Sequence, residues 1–342
     1  MKINIKEQMQ HYQVAGLSFS LIEEGQISKT EHFGYLESGS DKRVDDTIIF
    51  NACSISKFLT ALLVMKLVEQ GYFHLDEDVN NKLLSWKVPE NHYTKVKKVT
   101  LRNLLCHQSG IKDPPASFSE LQPMQAYPTM GEILNGQSSF CHMPIAVSYE
   151  PEREFHYSDA GFCIIQQLIE DVTGKPFSLV MDEFIFTPLN MKNSVFAPKL
   201  HDTEQYALAC GHHRNGEVVP GKYPFYPYQA ACGLWTTSKD LANVVLELMH
   251  ALKGVSKIGI CASHVNDLIQ PQGCKEWTGL GVFLDGSQQE IKISSLGWGI
   301  GFQCMIVAYP YKEKGFVIMT NTDLGIHQMK GIIGEIYNAF MV

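Results

Sequence analysis

The sequence predicts an α+β fold of the mixed α/β and all-α kind, an antiparallel sheet flanked by helices with a helical lobe inserted in the middle of the chain. Segments of period two stand near both ends of the chain, and segments of helical period stand between them. Strands far apart in sequence are best satisfied by pairing with one another while the middle of the chain packs beside them. The 342 residues, 45% hydrophobic and 19% charged, suit one large domain or two interlocked ones. We expect a discontinuous sheet domain over 1–75 and 200–342 and a helical lobe over 76–199, with a site between the two.

Gly16 to Ile22 alternates with period two, Glu24-Gly25 turns the chain, and Ile27 to Tyr35 returns, which predicts an opening hairpin. A third apolar run, Ile48 to Cys53, leads into Ser54. Leu59, Leu62, Leu63, Lys66 and Leu67 then recur at helical spacing until Gly71, so a buried helix starts at or beside Ser54. Thr100 caps a short helix through Leu105, and Pro114-Pro115 opens an irregular stretch to about Pro123, a possible wall for a site. Gly161 to Val172 reads as a helix ended by Thr173-Gly174-Lys175-Pro176, and Phe177 to Phe186 as a shorter one ended by Pro188. Strands follow over Leu280 to Asp285, Glu290 to Ser294, Phe302 to Tyr309 and Phe316 to Thr320, with a turn at Tyr311 to Gly315 and a closing helix from Gln328 to Phe340.

Composition excludes several classes of function. Lys and Arg number 28 against 36 Asp and Glu, a net charge of −8, and no basic cluster exceeds Lys95, Lys97 and Lys98, so a nucleic-acid partner has no electrostatic footprint. The longest greasy stretch, Phe58 to Val68, is too short for a membrane span and is interrupted by Lys66. Met1 to Gln10 lacks the apolar core of about seven residues that an export signal needs. Nine cysteines without a repeating spacing suit reduced, mostly buried thiols. Together these give the expectation of a cytoplasmic protein.

No Gly loop ending in Lys, no two-His zinc helix and no Gly-x-Ser-x-Gly elbow is present. What remains is Ser54-Ile55-Ser56-Lys57, where a three-residue helical step returns the Lys57 amine to the Ser54 hydroxyl, the geometry in which an amine activates a weak nucleophile. The same spacing recurs only at Ser109 and Lys112, beside Gly110 and near Pro114, where the chain turns and the helical step does not apply. Ser54 instead follows a strand and opens an apolar helix, whose free N–H groups stabilise anions. The plainer alternative makes Ser54 an N-cap and Lys57 a solvated first-turn residue.

Phe50-Asn51-Ala52-Cys53-Ser54-Ile55-Ser56-Lys57-Phe58 resembles the first motif of class C β-lactamases and the related penicillin-binding-protein-like esterases. In order along the chain, Leu104-Leu105-Cys106-His107-Gln108-Ser109-Gly110 resembles that family's Leu-Leu-x-His-x-Ser-Gly stretch. Phe155 to Phe162 resembles its Tyr-x-Asn segment, and Thr187-Pro188-Leu189-Asn190-Met191 and Cys232-Gly233-Leu234-Trp235-Thr236-Thr237 two structural signatures. The resemblance spans nearly the whole chain. It implies a β-lactamase/transpeptidase-like fold with Ser54 as the acylated nucleophile, Lys57 as its partner and Tyr157 as the base that takes and returns the proton. A phenol titrating near 10 needs a neighbouring cation to work at neutral pH, and Lys57 could supply it. The alternative for Tyr157 is a packed aromatic with a hydrogen-bonded hydroxyl.

Two departures from the family pattern bear on substrate. Asp159 stands where Asn is usual, within expected reach of Lys57, and would hold that amine protonated. The third motif reads Ser295-Leu296-Gly297, or Trp298-Gly299 in another register, where Lys-Thr-Gly or His-x-Gly is usual, and neither register has a cation. Both changes disfavour the anionic substrates of a β-lactamase or carboxypeptidase. By the family pattern the oxyanion donors are the N–H of Ser54 and of Trp298, and Gly297 lets the strand approach a substrate; the Trp298 ring offers an apolar wall.

Cys210, His212 and His213 lack a second pair at ligand spacing, so no metal and no cofactor are expected. Cys53 reads as a buried thiol. Tyr223, Phe225, Tyr226 and Tyr228, interleaved with prolines, form either a packed loop or an apolar substrate rim, and we favour the rim. The expectation is a serine hydrolase acting on a small to medium ester or amide, esterase-like. The alternatives are a β-lactamase or D-alanyl-D-alanine carboxypeptidase, an acyltransferase, and a non-catalytic ligand-binding module with a decayed site. The oligomeric state is left open.

Overall fold

Gly16–Glu23 (β1) and Gln26–Gly34 (β2) form the opening hairpin. Its two-residue turn, Glu24-Gly25, has φ of 51° and 69°, the paired positive values that match the twist of the flanking strands. Ile48–Asn51 (β3), Val195–Phe196 (β4), Ala207–Leu208 (β5) and Leu234–Thr236 (β6) make a small sheet of order β4-β6-β3-β5. Phe283–Asp285 (β7), Lys292–Gly299 (β8), Phe302–Tyr309 (β9) and Lys314–Thr320 (β10) complete the main sheet, of order β2-β1-β10-β9-β8-β7. Every pair in it is antiparallel, and the hairpin meets the C-terminal strands through β1 and β10, with Phe19 opposite Ile318. This computed structural model describes residues 3–120, 127–196 and 203–341, so the end of the irregular stretch beyond residue 120 and the expected lobe boundary at 199/200 lie outside the described residues.

Alternation along β1 splits the sheet between two apolar layers. Leu17, Phe19 and Leu21 face the Ile5–Tyr12 and Ile332–Met341 helices in one cluster. Ser18 and Ser20 face the Ser238–Leu252 helix, and their hydroxyls lie 2.7 and 3.1 Å from Ser238 Oγ. Around Leu241, Val244, Val245 and Leu248 of that helix the second cluster continues through Leu59, Leu62 and Leu63 to Phe162 and Ile165. Each fully buried Leu or Phe contributes roughly 1.5–3 kcal/mol. The Ser56–Glu69 helix is buried from Ser56 through Met65, so it runs through the core and not along its surface.

Several element boundaries differ from expectation. The strand read from Leu280 begins at Phe283, because Gly281 (φ 71°) turns the chain against the Ser56–Glu69 helix, where a Cβ would come within 2.6 Å of the Ala61 methyl carbon. β8 runs on to Gly299. The helix from Phe177 does not stop at Pro188: a π turn over Asp182–Phe186 carries it on, and Pro188 lies inside the closing turn, Thr187–Leu189, which ends at Asn190 in left-handed backbone. Ile5–Tyr12, Ser238–Leu252 and Ala262–Leu268 are helices to which the sequence reading assigns no element.

Candidate active site

Ser54 sits on a 3₁₀ turn, Cys53–Ile55, between β3 and the central helix. Cys53 adopts φ 48°, left-handed backbone that costs a non-glycine residue roughly 1–2 kcal/mol. Its N–H donates to Asn51 Oδ1 at 2.8 Å, and its carbonyl accepts from Ser56 Oγ at 2.6 Å. Ser56 Oγ also accepts from the Leu234 N–H at 3.1 Å, tying the turn to β6. The turn thus lifts the half-buried Ser54 out of the strand and into a narrow cleft that Lys57, His107, Tyr157 and Ser295 also line.

Lys57 Nζ donates to Ser54 Oγ at 3.2 Å and to the Ala231 carbonyl at 3.0 Å, and pairs with Asp159 Oδ1 at 2.6 Å. It also lies 4.8 Å from the centroid of the Tyr157 ring. Burial works against the ammonium, but the Asp159 carboxylate overrides it, joined by Cys232 and Tyr157, and the Lys57 pKa ends well above its ordinary value. Lys57 therefore reaches Ser54 as a cation that donates, and not as a free amine.

The expected pull of Lys57 on the Tyr157 phenol is present but outweighed. Desolvation pushes the phenol up to about 12, against the pull of Lys57 and with Asp159 adding to the rise. A cation already paired with a carboxylate lowers a neighbouring phenol less than a free one would. The Tyr157 ring stacks on His107 with centroids 4.4 Å apart. His107 (φ 60°) accepts the Ser158 N–H at Nδ1, 3.2 Å, and desolvation, aided by the Lys57 charge, pulls its pKa down to about 3, so the imidazole is neutral.

Asp159 opens the Asp159–Thr173 helix, capped by Ser158. Asp113 accepts from Ser158 Oγ at 2.8 Å and from the N–H groups of Asp159 and Ala160, each at 2.9 Å, so a second carboxylate secures the helix start. Desolvation and the nearby Asp159 raise the Asp113 pKa.

β8 presents the third segment. Ser295 is 5% exposed and lines the cleft. Gly297 lies so close to the turn that an added Cβ would fall well inside contact distance of the Ala52 carbonyl and Cys304 Sγ. The hairpin from β8 to β9 turns at Ile300-Gly301 with Gly299 opposite Phe302, and that closing pair is hydrogen-bonded. Trp298, opposite Gln303, then belongs to a non-hydrogen-bonded pair, and its N–H points away from β9. The indole is not the expected cleft wall. Alternation puts it on the face opposite Ser295, where its N–H donates to Asp323 Oδ1 at 2.8 Å.

Other expectations resolve plainly. The aromatic run is a packed loop and not a rim: Phe225 and Tyr223 pack on Trp235, the Tyr228 hydroxyl donates to the Phe118 carbonyl, and the Tyr226 hydroxyl accepts the Ile300 N–H at 3.3 Å. His212 is structural, with Nδ1 2.8 Å from the Asn321 carbonyl and Nε2 accepting the Ser38 N–H at 3.0 Å. Cys53 is buried. The sequence reading missed His107 and Cys232 as site residues, although both lie in quoted motifs. Cys232 Sγ is 3.6 Å from Ser54 Oγ and 3.9 Å from Lys57 Nζ, and desolvation pushes the thiol up to about 12 despite the Lys57 charge. Asp113 had no signal beyond its place in a turn.

Residues 2–333 match the Beta-lactamase family model. Protein flp of Staphylococcus aureus (strain MW2) is 22% identical over 250 residues, 73% of this chain and 47% of that protein, so the chain spans about half the length of this curated relative. Among solved structures, the octameric penicillin-binding protein homologue from Pyrococcus abyssi superposes with a TM-score of 0.79 at 23% identity, covering 97% of this chain and 75% of that one. The penicillin-binding protein from Bacillus halodurans gives 0.77 at 20% identity, covering 99% and 100%. The fold is β-lactamase/transpeptidase-like, and the chain belongs to the Beta-lactamase family, a family of serine hydrolases.

Proposed function

We propose that the protein is an esterase-like serine hydrolase that forms an acyl-enzyme on Ser54 with a neutral ester or amide of small to medium size. The observation that carries this reading is the meeting of Ser54, Lys57 and Tyr157 in one cleft whose single cation among the described lining residues is already paired with Asp159. The cleft runs between the sheet domain, 1–75 and 200–342, and the helical lobe, 76–199. Ser54 Oγ attacks the acyl carbon, and its proton passes to the Tyr157 phenolate. The N–H groups of Ser54 and Trp298 hold the oxyanion. Collapse expels the alcohol or amine, which takes the proton back from Tyr157, and water then releases the acid.

With Lys57 balanced by Asp159 and Ser295 in place of a cation, a substrate carboxylate finds no free positive charge among the described lining residues, which argues against penicillins and D-Ala-D-Ala peptides. The nine cysteines are all free and seven of them are buried, which supports a reducing, cytoplasmic setting. The test is hydrolysis of p-nitrophenyl butyrate and a chromogenic cephalosporin by the wild type, Ser54→Ala and Lys57→Ala. Ester turnover lost in both variants, with slower cephalosporin turnover, is expected. Preferential cephalosporin turnover would assign a β-lactamase. The tight Lys57–Asp159 pair and the high Tyr157 pKa favour one second reading, a ligand-binding module, and no Ser54-dependent turnover of either substrate would select it.

A further inference from the structure

A second cluster of reactive side chains lies outside the cleft. Glu69 closes the helix that carries Lys57 in its first turn, while Cys261 caps and His264 belongs to the Ala262–Leu268 helix. The three-residue step from Cys261 to His264 points both side chains the same way across one helical turn. Glu69 Oε2 accepts the Cys261 N–H at 2.9 Å and lies 2.7 Å from His264 Nδ1. A carboxylate oxygen, the Cys261 sulfur and a ring nitrogen of His264 all lie within 4.8 Å of one another.

We propose that Glu69, Cys261 and His264 form a binding site for a borderline divalent transition metal, zinc being the best fit. Tetrahedral zinc, with bonds of about 2.0–2.3 Å, holds ligand atoms roughly 3.3–3.8 Å apart, so side-chain rotation closes the remaining gap. The donor set of thiolate, imidazole and carboxylate suits zinc and excludes magnesium and calcium, which take oxygen. Cys261 is exposed, and the Glu69 and His264 side chains are 30% and 28% exposed, so the metal has a path in and water can fill a fourth position. On binding, the Cys261 thiol releases its proton to solvent. His264, whose Nδ1–H donates to the Glu69 carboxylate, gives that hydrogen up to solvent and takes one from solvent on Nε2, so that the Nδ1 lone pair is free to turn to the metal.

The site would pin the far end of the nucleophile helix to the segment that leads, through Thr278 and Gly281, into the cleft wall. The test is titration of the metal-free full-length protein with Zn2+ against a chromophoric chelator, with Co2+ as a spectroscopic probe. One equivalent bound, a thiolate-to-cobalt charge-transfer band, and a rise in Tm on adding Zn2+ are expected. Cys261→Ser should abolish the band, and both Cys261→Ser and His264→Ala should weaken Zn2+ binding at least about tenfold. No binding by the wild type, or binding that neither substitution changes, would overturn the assignment.

Discussion

Replacing Asp159 by Asn changes one charge and little else. Lys57 Nζ and Asp159 Oδ1 are 2.6 Å apart with side chains 3% and 20% exposed, and at an effective dielectric constant of 20 unit charges at that separation attract by about 6 kcal/mol. Asn keeps an acceptor oxygen at the same place. The Asp159 N–H that binds Asp113 and the Ser158 cap are untouched, so the helix start survives. The substitution leaves Lys57 as an unbalanced cation 3.2 Å behind Ser54 Oγ. A substrate carboxylate beyond that oxygen, about 8 Å from Nζ, then gains on the order of 2 kcal/mol before screening and about 1 kcal/mol after it, or roughly a fivefold to tenfold rise in kcat/KM. The assay compares p-nitrophenyl hemisuccinate with p-nitrophenyl butyrate in wild type and Asp159→Asn, at low and high salt. The hemisuccinate-to-butyrate ratio should rise, and rise most at low salt. An unchanged ratio in a folded, ester-cleaving variant would refute the charge argument.

With the Tyr157 phenol near 12 and His107 neutral down to about pH 3, kcat/KM should climb with pH through the alkaline range and show no imidazole limb near 6–7; Asp159→Asn should move the rise to lower pH, and a wild-type plateau by pH 7 would contradict this. Native His107 resists protonation, so between pH 6.5 and about 3 the unfolded chain holds the extra proton and stability falls as pH falls, by up to about 1.4 kcal/mol per pH unit. His107→Asn, which tolerates the left-handed backbone and keeps an acceptor near Nδ1, should lose less stability between pH 7 and 4.5 in urea melts. Gly297→Ala forces a Cβ into the Ala52 carbonyl, and a loss on the order of 1–3 kcal/mol in stability, together with loss of ester turnover, is expected from thermal melts and rates.

The hairpin and the C-terminal strands were legible because their faces alternate and their turns are marked, as at Glu24-Gly25. The Ser54 and Lys57 contact was legible because a helical step is a local constraint. Asp159 was legible as a charge expected near Lys57, and the ion pair at 2.6 Å is the distance that expectation needs. What stayed hidden depends on distant segments meeting. The Ala231 carbonyl that holds Lys57 comes from 174 residues away, and Glu69 reaches Cys261 across 192. The direction of the Tyr157 shift follows from desolvation, which a sequence does not display. Trp298 shows a different limit: its ring turns away from the cleft to Asp323, and naming the residue did not say where the side chain would point.

The central claim is that Ser54 carries the acyl group. Rapid acid quenching during turnover of a p-nitrophenyl ester, followed by intact mass and peptide mapping, tests it most directly. The expected result is a single acyl adduct on the peptide containing Ser54, present in the wild type and missing in Ser54→Ala. An adduct on Cys232 or any other residue, or steady turnover persisting in Ser54→Ala, would contradict it.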